Sequence, residues 1–302
     1  MIRYEAIGMG ACCQGRCGFC RERGGAYRDL DSLLAELRQA HRPLNLYFSS
    51  GHAAGNPALA PLASQAVLEG ARRLKVKVSG AGRLDADLLA LLLARGVMIY
   101  EIECLGPTAA VHDGITGIKA SFRGVERTLD LLVRGTARTR ACGRPFVSVV
   151  MPVCEGNVES VGVMKDRMKA WRPDRLVFLN TGTVAVSRVV FELRSSISAL
   201  VVDEVWPVLS GFPFCAIPGL EHFAQELYDR QVSHPAALFC QNCLFSRHCC
   251  GVSGAYLAEH GAADFHAVVW HRYQEDLVQL MDRAAPPSAE LDRERLERGG
   301  DA

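Results

Sequence analysis

The 302-residue chain has a formal net charge of +1, and its length fits one large domain or a barrel with an appended segment. A charge this close to neutral gives no reason to expect nucleic acid or an anionic membrane as a partner, and the longest apolar stretch, residues 88–93, is too short to span a bilayer. Met1 leads into a predicted strand without a secretory signal, so we expect a soluble, cytoplasmic protein.

The chain contains twelve cysteines, which a reducing cytosol would keep as thiols rather than as disulfides. Eight of them fall into two tight groups, near residues 12–20 and 240–250, and Cys215 lies upstream of the second group. Metal centres require clustering of this kind.

Short apolar or β-branched runs alternate with helical patterns between residues 3 and 202. Predicted strands cover residues 4–9, 44–48, 75–79, 98–103, 146–153 and 176–180, and predicted helices cover residues 30–41, 59–74, 85–95, 122–133 and 158–171. Asp85 and Asn157 are suitable N-caps, and Gly96 is placed to end the third helix. This alternation predicts an α/β fold with a parallel sheet. Six βα units fall short of the eight that close a barrel, so residues 1–205 are expected to form a partial, TIM-like (β/α)6 barrel.

Cys13, Cys17 and Cys20 are separated by three and then two residues in the loop after the first strand. Three thiolates are one fewer than a closed iron–sulfur or zinc site needs, so one position on the metal would stay open. This spacing, with Phe19 before the last cysteine, is the signature of the radical SAM enzymes, and the chain resembles that family. The resemblance implies a [4Fe–4S] cluster whose open iron binds S-adenosylmethionine (SAM), on a laterally open (β/α)6 barrel. A zinc knuckle or spare thiols remain alternatives, and adjacent Cys12 leaves another register open.

Glycine-rich turns follow the second and third predicted strands. Radical SAM enzymes usually carry a Gly-Gly-Glu-Pro motif after the second strand, which contacts the amino group of SAM. Here the match is either Ser50-Gly51-His52 or residues 55–57, and the glutamate is missing. The resemblance therefore implies that Gly51 and His52, and Ser79 in the next turn, bind the cofactor, although a plain turn would have a similar composition.

The fourth predicted strand contains Glu101 and Glu103, which share one face because side chains alternate along a strand. Two carboxylates inside a barrel are costly unless they bind polar groups. Radical SAM enzymes commonly have a serine in place of Glu103, so Glu103 is a candidate catalytic residue that handles the substrate or a proton. Solvation at a frayed strand end is the alternative.

A His112-Asp113 pair precedes Gly117, Ser121 and Phe122. This segment resembles one that recurs in radical SAM enzymes with a C-terminal auxiliary cluster domain. We expect a structural role, in which Gly117 allows a turn and Ser121 caps the next helix.

The second cysteine group contains Cys240, Cys243 and Cys249, a Cys-x2-Cys-x5-Cys pattern. It resembles the core of the SPASM and Twitch extensions of radical SAM enzymes. With Cys215 it would supply four thiolates to one auxiliary [4Fe–4S] cluster in an extension over residues 206–265, followed by a helix and charged tail over residues 266–302. A structural zinc site with the same ligands is the alternative, and Cys250 would be the alternative to Cys249.

The resemblance implies an oxidoreductase that cleaves SAM reductively to a 5′-deoxyadenosyl radical, which removes a hydrogen atom from a substrate. It also implies an electron donor such as flavodoxin or ferredoxin. We expect a role in natural-product or peptide maturation, with a peptide or small-molecule substrate.

Three alternatives stay open. One is a dehydrogenase of aminocyclitols or sugar alcohols, and another is a methyl or methylthio transferase. The third is a non-catalytic iron–sulfur or zinc protein, which would neither bind nor cleave SAM.

Overall fold

The computed structural model describes residues 4–20, 24–40, 45–82, 84–135, 144–227, 240–246 and 248–269. Its sheet contains seven parallel strands in sequence order: β1 (Glu5–Gly8), β2 (Asn45–Ser49), β3 (Arg73–Val78), β4 (Val97–Glu103), β5 (Phe146–Val153), β6 (Arg175–Asn180) and β7 (Trp206–Ser210). Each strand pairs with the next, and the sheet is not closed between β1 and β7 within these residues. The predicted α/β fold with an open, partial barrel is confirmed.

Eight α-helices accompany the sheet in the described part of the chain: α1 (Leu30–Gln39), α2 (Leu59–Leu68), α3 (Ala86–Ala94), α4 (Ala109–Thr116), α5 (Ser121–Val133), α6 (Val161–Trp171), α7 (Val186–Val202) and α8 (Gly254–His260). Helices of the barrel cover the outer face of the sheet, where alternate strand residues such as Phe48, Val76 and Phe178 form the core. None of the helices described is long and apolar enough to cross a membrane.

The structure has one strand more than the six predicted, because the alternation continues through α7 to β7. Pro207 lies within β7 and weakens its strand pattern in the sequence. Proline is tolerated there because β7 is an edge strand and pairs only with β6 in the described sheet. Helix α2 is shorter than predicted, since it ends before Gly70, whose φ of +87° is not helical.

Helix ends match the prediction at Asp85 and at Gly96, whose φ of +79° follows the end of α3, and they differ at Asn157 and Ser121. Asp85 caps α3 by accepting the Leu88 N–H at 2.8 Å, as predicted. Asn157 does not cap a helix, because its side chain bonds to neighbouring loops instead. Ser121 is not an N-cap either. Asp113 has that role, since its carboxylate accepts the N–H groups of Ala120 and Phe122 at 2.7 and 2.8 Å.

The inner face of the sheet has two chemically different halves. On β3 and β4 it carries Lys75, Lys77, Glu101 and Glu103, whereas on β5, β6 and β7 it carries a small apolar cluster of Val150, Val177 and Val208. Since parallel strands align their carboxyl ends at one edge of the sheet, the loops that follow β1 to β7 meet there. The predicted site residues from Cys13 to Glu103 all lie at this edge.

Candidate cluster and cofactor site

Two cysteines of the loop after β1 lie beside the same glycine, and a backbone hydrogen bond joins the third to them. A Cβ atom placed on Gly15 would lie 3.4 Å from Cys13 Sγ and 3.6 Å from Cys17 Sγ. The Gly15 N–H donates to Cys13 Sγ at 3.4 Å, and the Cys20 N–H donates to the Cys17 carbonyl oxygen at 3.1 Å. The loop therefore curls so that its thiols approach one another at the carboxyl end of β1.

The pKa of Cys17 also indicates that Cys13 and Cys20 lie close to it. The pKa of this thiol is raised to about 12, mainly by burial and then by the Glu103 carboxylate, Cys13 and Cys20. A coordinated metal deprotonates its thiol ligands, so a cation would offset the charges that make three neighbouring thiolates unfavourable. The donor set fits an iron–sulfur cluster or zinc.

Cys12 has a different partner. Burial and then a hydrogen bond with Cys12 raise the pKa of Tyr27 to about 12. The Cys12 thiol thus lies beside the Tyr27 hydroxyl, and the neighbours that raise the pKa of Cys17 are Cys13 and Cys20. This geometry favours the register Cys13, Cys17 and Cys20 over one that starts at Cys12.

The described residues contain no three His, Cys, Asp or Glu side chains gathered around a single metal ion. A [4Fe–4S] cluster binds each thiolate through a different iron, which spreads the sulfur atoms over a larger volume. Both iron–sulfur clusters and zinc use cysteine donors, and a cluster in this loop stays a prediction.

Gly51 and His52, in the loop after β2, contact the cysteine loop and restrain it. Gly51 has a φ of +51°, and a Cβ there would lie 2.8 Å from the Gly10 carbonyl oxygen, so glycine is required. The His52 N–H donates to the Cys12 carbonyl oxygen at 3.1 Å, and the His52 ring lies against Gly82 in the turn after β3. Both predicted residues lie beside the cluster loop, and their contact with SAM stays a prediction.

Ser79 follows β3 directly and reaches the first cysteine. Its Oγ atom lies 3.3 Å from Cys13 Sγ and accepts the Ala81 N–H at 3.1 Å. The side chain is buried at the junction of two loops. The structure therefore places Ser79 against a predicted cluster ligand, where a role in SAM binding remains a prediction.

Glu103 ends β4 on the inner face of the sheet. Its Oε1 atom lies 3.0 Å from Lys77 Nζ, and the two side chains are 21% and 18% exposed. The carboxylate is close enough to Cys17 to raise the pKa of that thiol. Glu103 is thus a charged, partly accessible group beside the cysteine loop.

Glu101 lies one step deeper in the barrel on the same face, as predicted. It pairs with Lys75 and accepts a hydrogen bond from the Tyr47 hydroxyl at 2.8 Å. Burial raises the pKa of Glu101, but the Lys75 ammonium and the other donors outweigh it, so the net pKa lies below its usual range. Both inner carboxylates are therefore compensated by lysines of β3 rather than solvated at a frayed end.

His112 is buried between the loops after β3 and β4. Its Nε2 atom lies 2.8 Å from the Gly80 carbonyl oxygen, and its Nδ1 atom accepts the Leu105 N–H at 3.0 Å. A ring nitrogen that accepts carries no proton, so His112 is neutral and Nε2 donates. The predicted structural role of this segment extends beyond helix capping, since Thr116 also accepts the N–H of Arg16, between two of the cysteines, at 2.7 Å.

Several buried polar side chains that join neighbouring loops were missed by the sequence reasoning. Asn56 donates to the Met9 carbonyl oxygen at 2.9 Å, which joins the loops after β1 and β2. Asn157 donates to the Leu105 carbonyl oxygen at 2.9 Å, which joins those after β4 and β5. The available signal was an asparagine a few residues beyond a predicted strand, a position that also suits turns and N-caps.

The second cysteine group converges on the loop after β7. The pKa of Cys215 is raised to about 11, mainly by burial and then by the nearby thiols of Cys249, Cys243 and Cys240. The Val268 N–H donates to Cys243 Sγ, and the Gly251 N–H donates to Cys249 Sγ, each at 3.4 Å. The four thiols are therefore close enough to interact electrostatically. Their donor set is one that iron–sulfur clusters and zinc use, and a metal bound by all four stays a prediction.

Cys249 and Cys250 occupy different environments. A hydrogen bond from Cys250 lowers the pKa of Cys249 to about 6, and the same bond raises the pKa of Cys250. Cys249 is among the thiols that raise the pKa of Cys215, whereas Cys250 is buried and lines a cavity. The geometry favours Cys249 as the fourth ligand.

That cavity, of about 180 Å³, lies between the carboxyl ends of β6 and β7 and the second cysteine group. Its lining includes Asn180, Ser210, Glu226, Cys250 and Tyr256. The Gly211 N–H donates to Glu226 at 2.6 Å, and the Val186 N–H donates to the Tyr256 hydroxyl at 2.8 Å. These bonds attach the C-terminal segment to the barrel and help to shape a cavity whose walls are both polar and apolar.

No protein-family model matches the chain, and no curated protein matches its sequence. Solved structures that match include SuiB from Streptococcus suis bound to S-adenosylmethionine, SuiB itself, and SuiB bound to the precursor peptide SuiA. Each has a TM-score of 0.54 and 12% sequence identity over 70% of this chain, and the match covers 51%, 50% and 49% of the respective SuiB chains. The chain thus spans about half the length of the structures that it matches. At this identity the likeness shows that the two proteins share a fold.

Proposed function

We propose that this chain is a radical SAM oxidoreductase that acts in peptide or natural-product maturation. The observation that carries the proposal is the convergence of Cys13, Cys17 and Cys20 in the loop after β1, at the edge where a parallel barrel forms its site. The likeness to a protein whose solved structures hold SAM and a precursor peptide supports it.

Cys13, Cys17 and Cys20 would hold a [4Fe–4S] cluster with one open position, against which SAM binds. When bound, the cluster supplies the electron that splits SAM into methionine and a 5′-deoxyadenosyl radical, which then takes a hydrogen atom from the substrate. The protein's own part is to orient these groups and exclude water. Gly51 and His52 would do so by fixing the cysteine loop from β2.

Glu103 is the proposed catalytic side chain. Its Oε1 atom lies 3.0 Å from the Lys77 ammonium, and its partial exposure leaves the carboxylate accessible on the inner face of the sheet. There it would bind a polar group of the substrate or accept a proton as the substrate is oxidised.

The four C-terminal thiols would bind one auxiliary [4Fe–4S] cluster beside the cavity at β6 and β7. A cluster at this position would be close enough to accept an electron from a substrate held in the cavity. The overall reaction would then be an oxidation. A reductant such as flavodoxin or ferredoxin would restore the first cluster. The peptide-bound neighbour favours a peptide substrate over an aminocyclitol or sugar alcohol.

The test is iron and sulfide content with EPR spectroscopy on the anaerobically reconstituted protein. Wild type is compared with a Cys13/Cys17/Cys20→Ala variant, a Cys240/Cys243→Ala variant and a matched Cys12→Ala control, each with and without SAM. We expect about eight irons in wild type and the control, and about four in each multiple variant. SAM should change only the signal that is absent from the first variant.

Incubation with SAM and a reductant such as dithionite or reduced flavodoxin then tests turnover, with formation of 5′-deoxyadenosine as the readout. Wild type and Cys12→Ala should form it, and the Cys13/Cys17/Cys20→Ala variant should not. If SAM leaves every spectrum unchanged and no 5′-deoxyadenosine forms, the chain is a non-catalytic metal protein and the proposal is wrong.

A further inference from the structure

Ser79 is placed to donate a hydrogen bond to a cluster ligand. Its side chain is 2% exposed, and its Oγ atom lies 3.3 Å from Cys13 Sγ. A serine hydroxyl has one hydrogen to donate and accepts through its lone pairs. The Ala81 N–H already donates to this oxygen at 3.1 Å, so Ser79 acts there as an acceptor.

The direction of the contact with Cys13 follows from the state of that residue in the loaded protein. A cysteine that ligates iron is a thiolate, which carries no proton and can only accept. The Ser79 O–H must therefore be the donor. Together with the Gly15 N–H at 3.4 Å, it would give Cys13 Sγ two hydrogen bonds.

The turn that carries Ser79 is held in place by β4 and its following helix. The His112 Nε2 atom donates to the Gly80 carbonyl oxygen at 2.8 Å. A Cβ on Gly80 would lie 2.9 Å from a side-chain carbon of Leu105 and 3.0 Å from the Glu103 carbonyl oxygen. This close packing restrains the turn, so the hydroxyl stays directed at Cys13.

We propose that Ser79 tunes the reduction potential of the cluster ligated by Cys13, with His112 as the residue that positions it. The inference rests on the proposed function, since it needs a cluster in the N-terminal loop. One-electron reduction adds negative charge to the cluster and its thiolates, and a hydrogen bond to a ligating sulfur stabilises that charge. Ser79 therefore raises the potential and makes the cluster easier to reduce.

The test is an EPR-monitored redox titration of the reconstituted full-length protein with Ser79→Ala, Ser79→Cys and Ser79→Thr variants. The N-terminal signal is assigned as the one lost in the Cys13/Cys17/Cys20→Ala variant, without the use of SAM. We expect Ser79→Ala to shift its midpoint to lower potential, Ser79→Cys to shift it less because a thiol is a weaker donor, and Ser79→Thr to stay close to wild type. The second cluster should titrate unchanged in all of them.

An N-terminal midpoint equal to wild type in Ser79→Ala would overturn the inference while leaving the proposed function intact. If Ser79→Ala does not bind iron, the N-terminal midpoint potentials of Ser79→Cys and Ser79→Thr are compared instead. Equal midpoint potentials in these two variants would overturn the inference. If the triple-cysteine variant loses no iron, the proposed function fails and this inference fails with it.

Discussion

His112 uses both ring nitrogens between two loops, and this arrangement requires a neutral ring. Burial lowers its pKa, although the hydrogen bond to Gly80 and the Asp113 charge oppose that shift. In the unfolded chain, histidine binds a proton below a pH of about 6.5. The unfolded state therefore binds more protons than the folded state as the pH falls through that value, and the contribution of His112 to stability decreases.

We predict that His112→Gln weakens this pH dependence. At pH 7.5 the variant should lose about 1–3 kcal/mol of unfolding free energy, because it cannot satisfy both loops. Between pH 6.5 and 5, wild type should lose up to about 1.4 kcal/mol per pH unit more than the variant. Urea unfolding followed by circular dichroism measures both effects. Parallel pH profiles would contradict a buried, neutral His112.

Asp113 lies in α4 yet caps α5, so one carboxylate joins two helices. It accepts the Ala120 and Phe122 N–H groups and the Ser121 hydroxyl, at 2.7, 2.8 and 2.9 Å. Burial is the largest single influence and raises the pKa of Asp113, but the three donors and His112 together outweigh it, so the net pKa is lowered. The stabilisation is therefore present above the unfolded pKa and is lost as the pH falls through the lower folded pKa.

We predict that Asp113→Ala lowers the unfolding free energy by about 1–2 kcal/mol at pH 7, as loss of a helix cap does. The matched control is Asp130→Ala in α5, whose pair with Arg134 is exposed and should contribute less than about 0.5 kcal/mol. Both variants can be compared by urea unfolding at pH 7. Equal losses in the two would show that Asp113 is not the cap.

The paired charges of β3 and β4 form the polar half of the inner sheet face. The side chains of Lys75 and Glu101 are only 14% and 17% exposed. Water therefore stabilises each charge poorly, and each is stabilised by its partner. Removal of one partner leaves a mostly buried charge with less compensation, whereas apolar replacement of both removes that cost. The pair should therefore be strongly coupled.

We predict that Lys75→Met lowers the unfolding free energy by about 2–4 kcal/mol and that Lys75→Met/Glu101→Leu recovers most of it. The control is Lys169→Met, whose partner Asp203 lies 3.3 Å away but whose own side chain is 70% exposed. It should change stability by less than about 1 kcal/mol. A double variant less stable than Lys75→Met alone would contradict this account.

Hydrogen bonds between neighbouring loops are also found near β6 and β7, at the open end of the sheet. Thr181 donates from the loop after β6 to the Val153 carbonyl oxygen at 2.5 Å, and Asn180 donates to the Gly211 carbonyl oxygen after β7 at 2.8 Å. Because the sheet does not close on itself in the described residues, such bonds restrain loops that barrel closure would otherwise fix. These bonds help to hold the loops after β5, β6 and β7 in place relative to one another.

The parts of this arrangement that the sequence predicted are those whose signals are local. Cys13, Cys17 and Cys20 lie close together in the chain itself, and strand periodicity predicted the shared face of Glu101 and Glu103. Asn157 was misassigned as a helix cap because its true partner, Leu105, is distant in sequence. Contacts between loops depend on which strands are neighbours, and that information is not contained in any short segment.

The second cysteine group joins separate parts of the chain, since Cys215 follows β7 and its partners come from residues 240–249. A metal bound there would attach the C-terminal segment to the barrel beside the cavity. Cys249 accepts the Gly251 N–H and lies near Cys215, whereas Cys250 is buried against the cavity, so we expect Cys249 to be the fourth ligand.

We predict that Cys249→Ala lowers the iron content of the reconstituted protein from about eight to about four, and that Cys250→Ala leaves about eight. Cys215→Ala should behave like Cys249→Ala, because both thiols belong to the same converging set. Iron and sulfide analysis measures the content, and EPR spectroscopy shows which signal is lost. If Cys250→Ala loses four irons and Cys249→Ala none, the ligand is Cys250, and the loop after Phe245 must rearrange when the metal binds. If neither variant loses iron but zinc is found, the segment is a structural zinc site and the auxiliary electron acceptor is excluded.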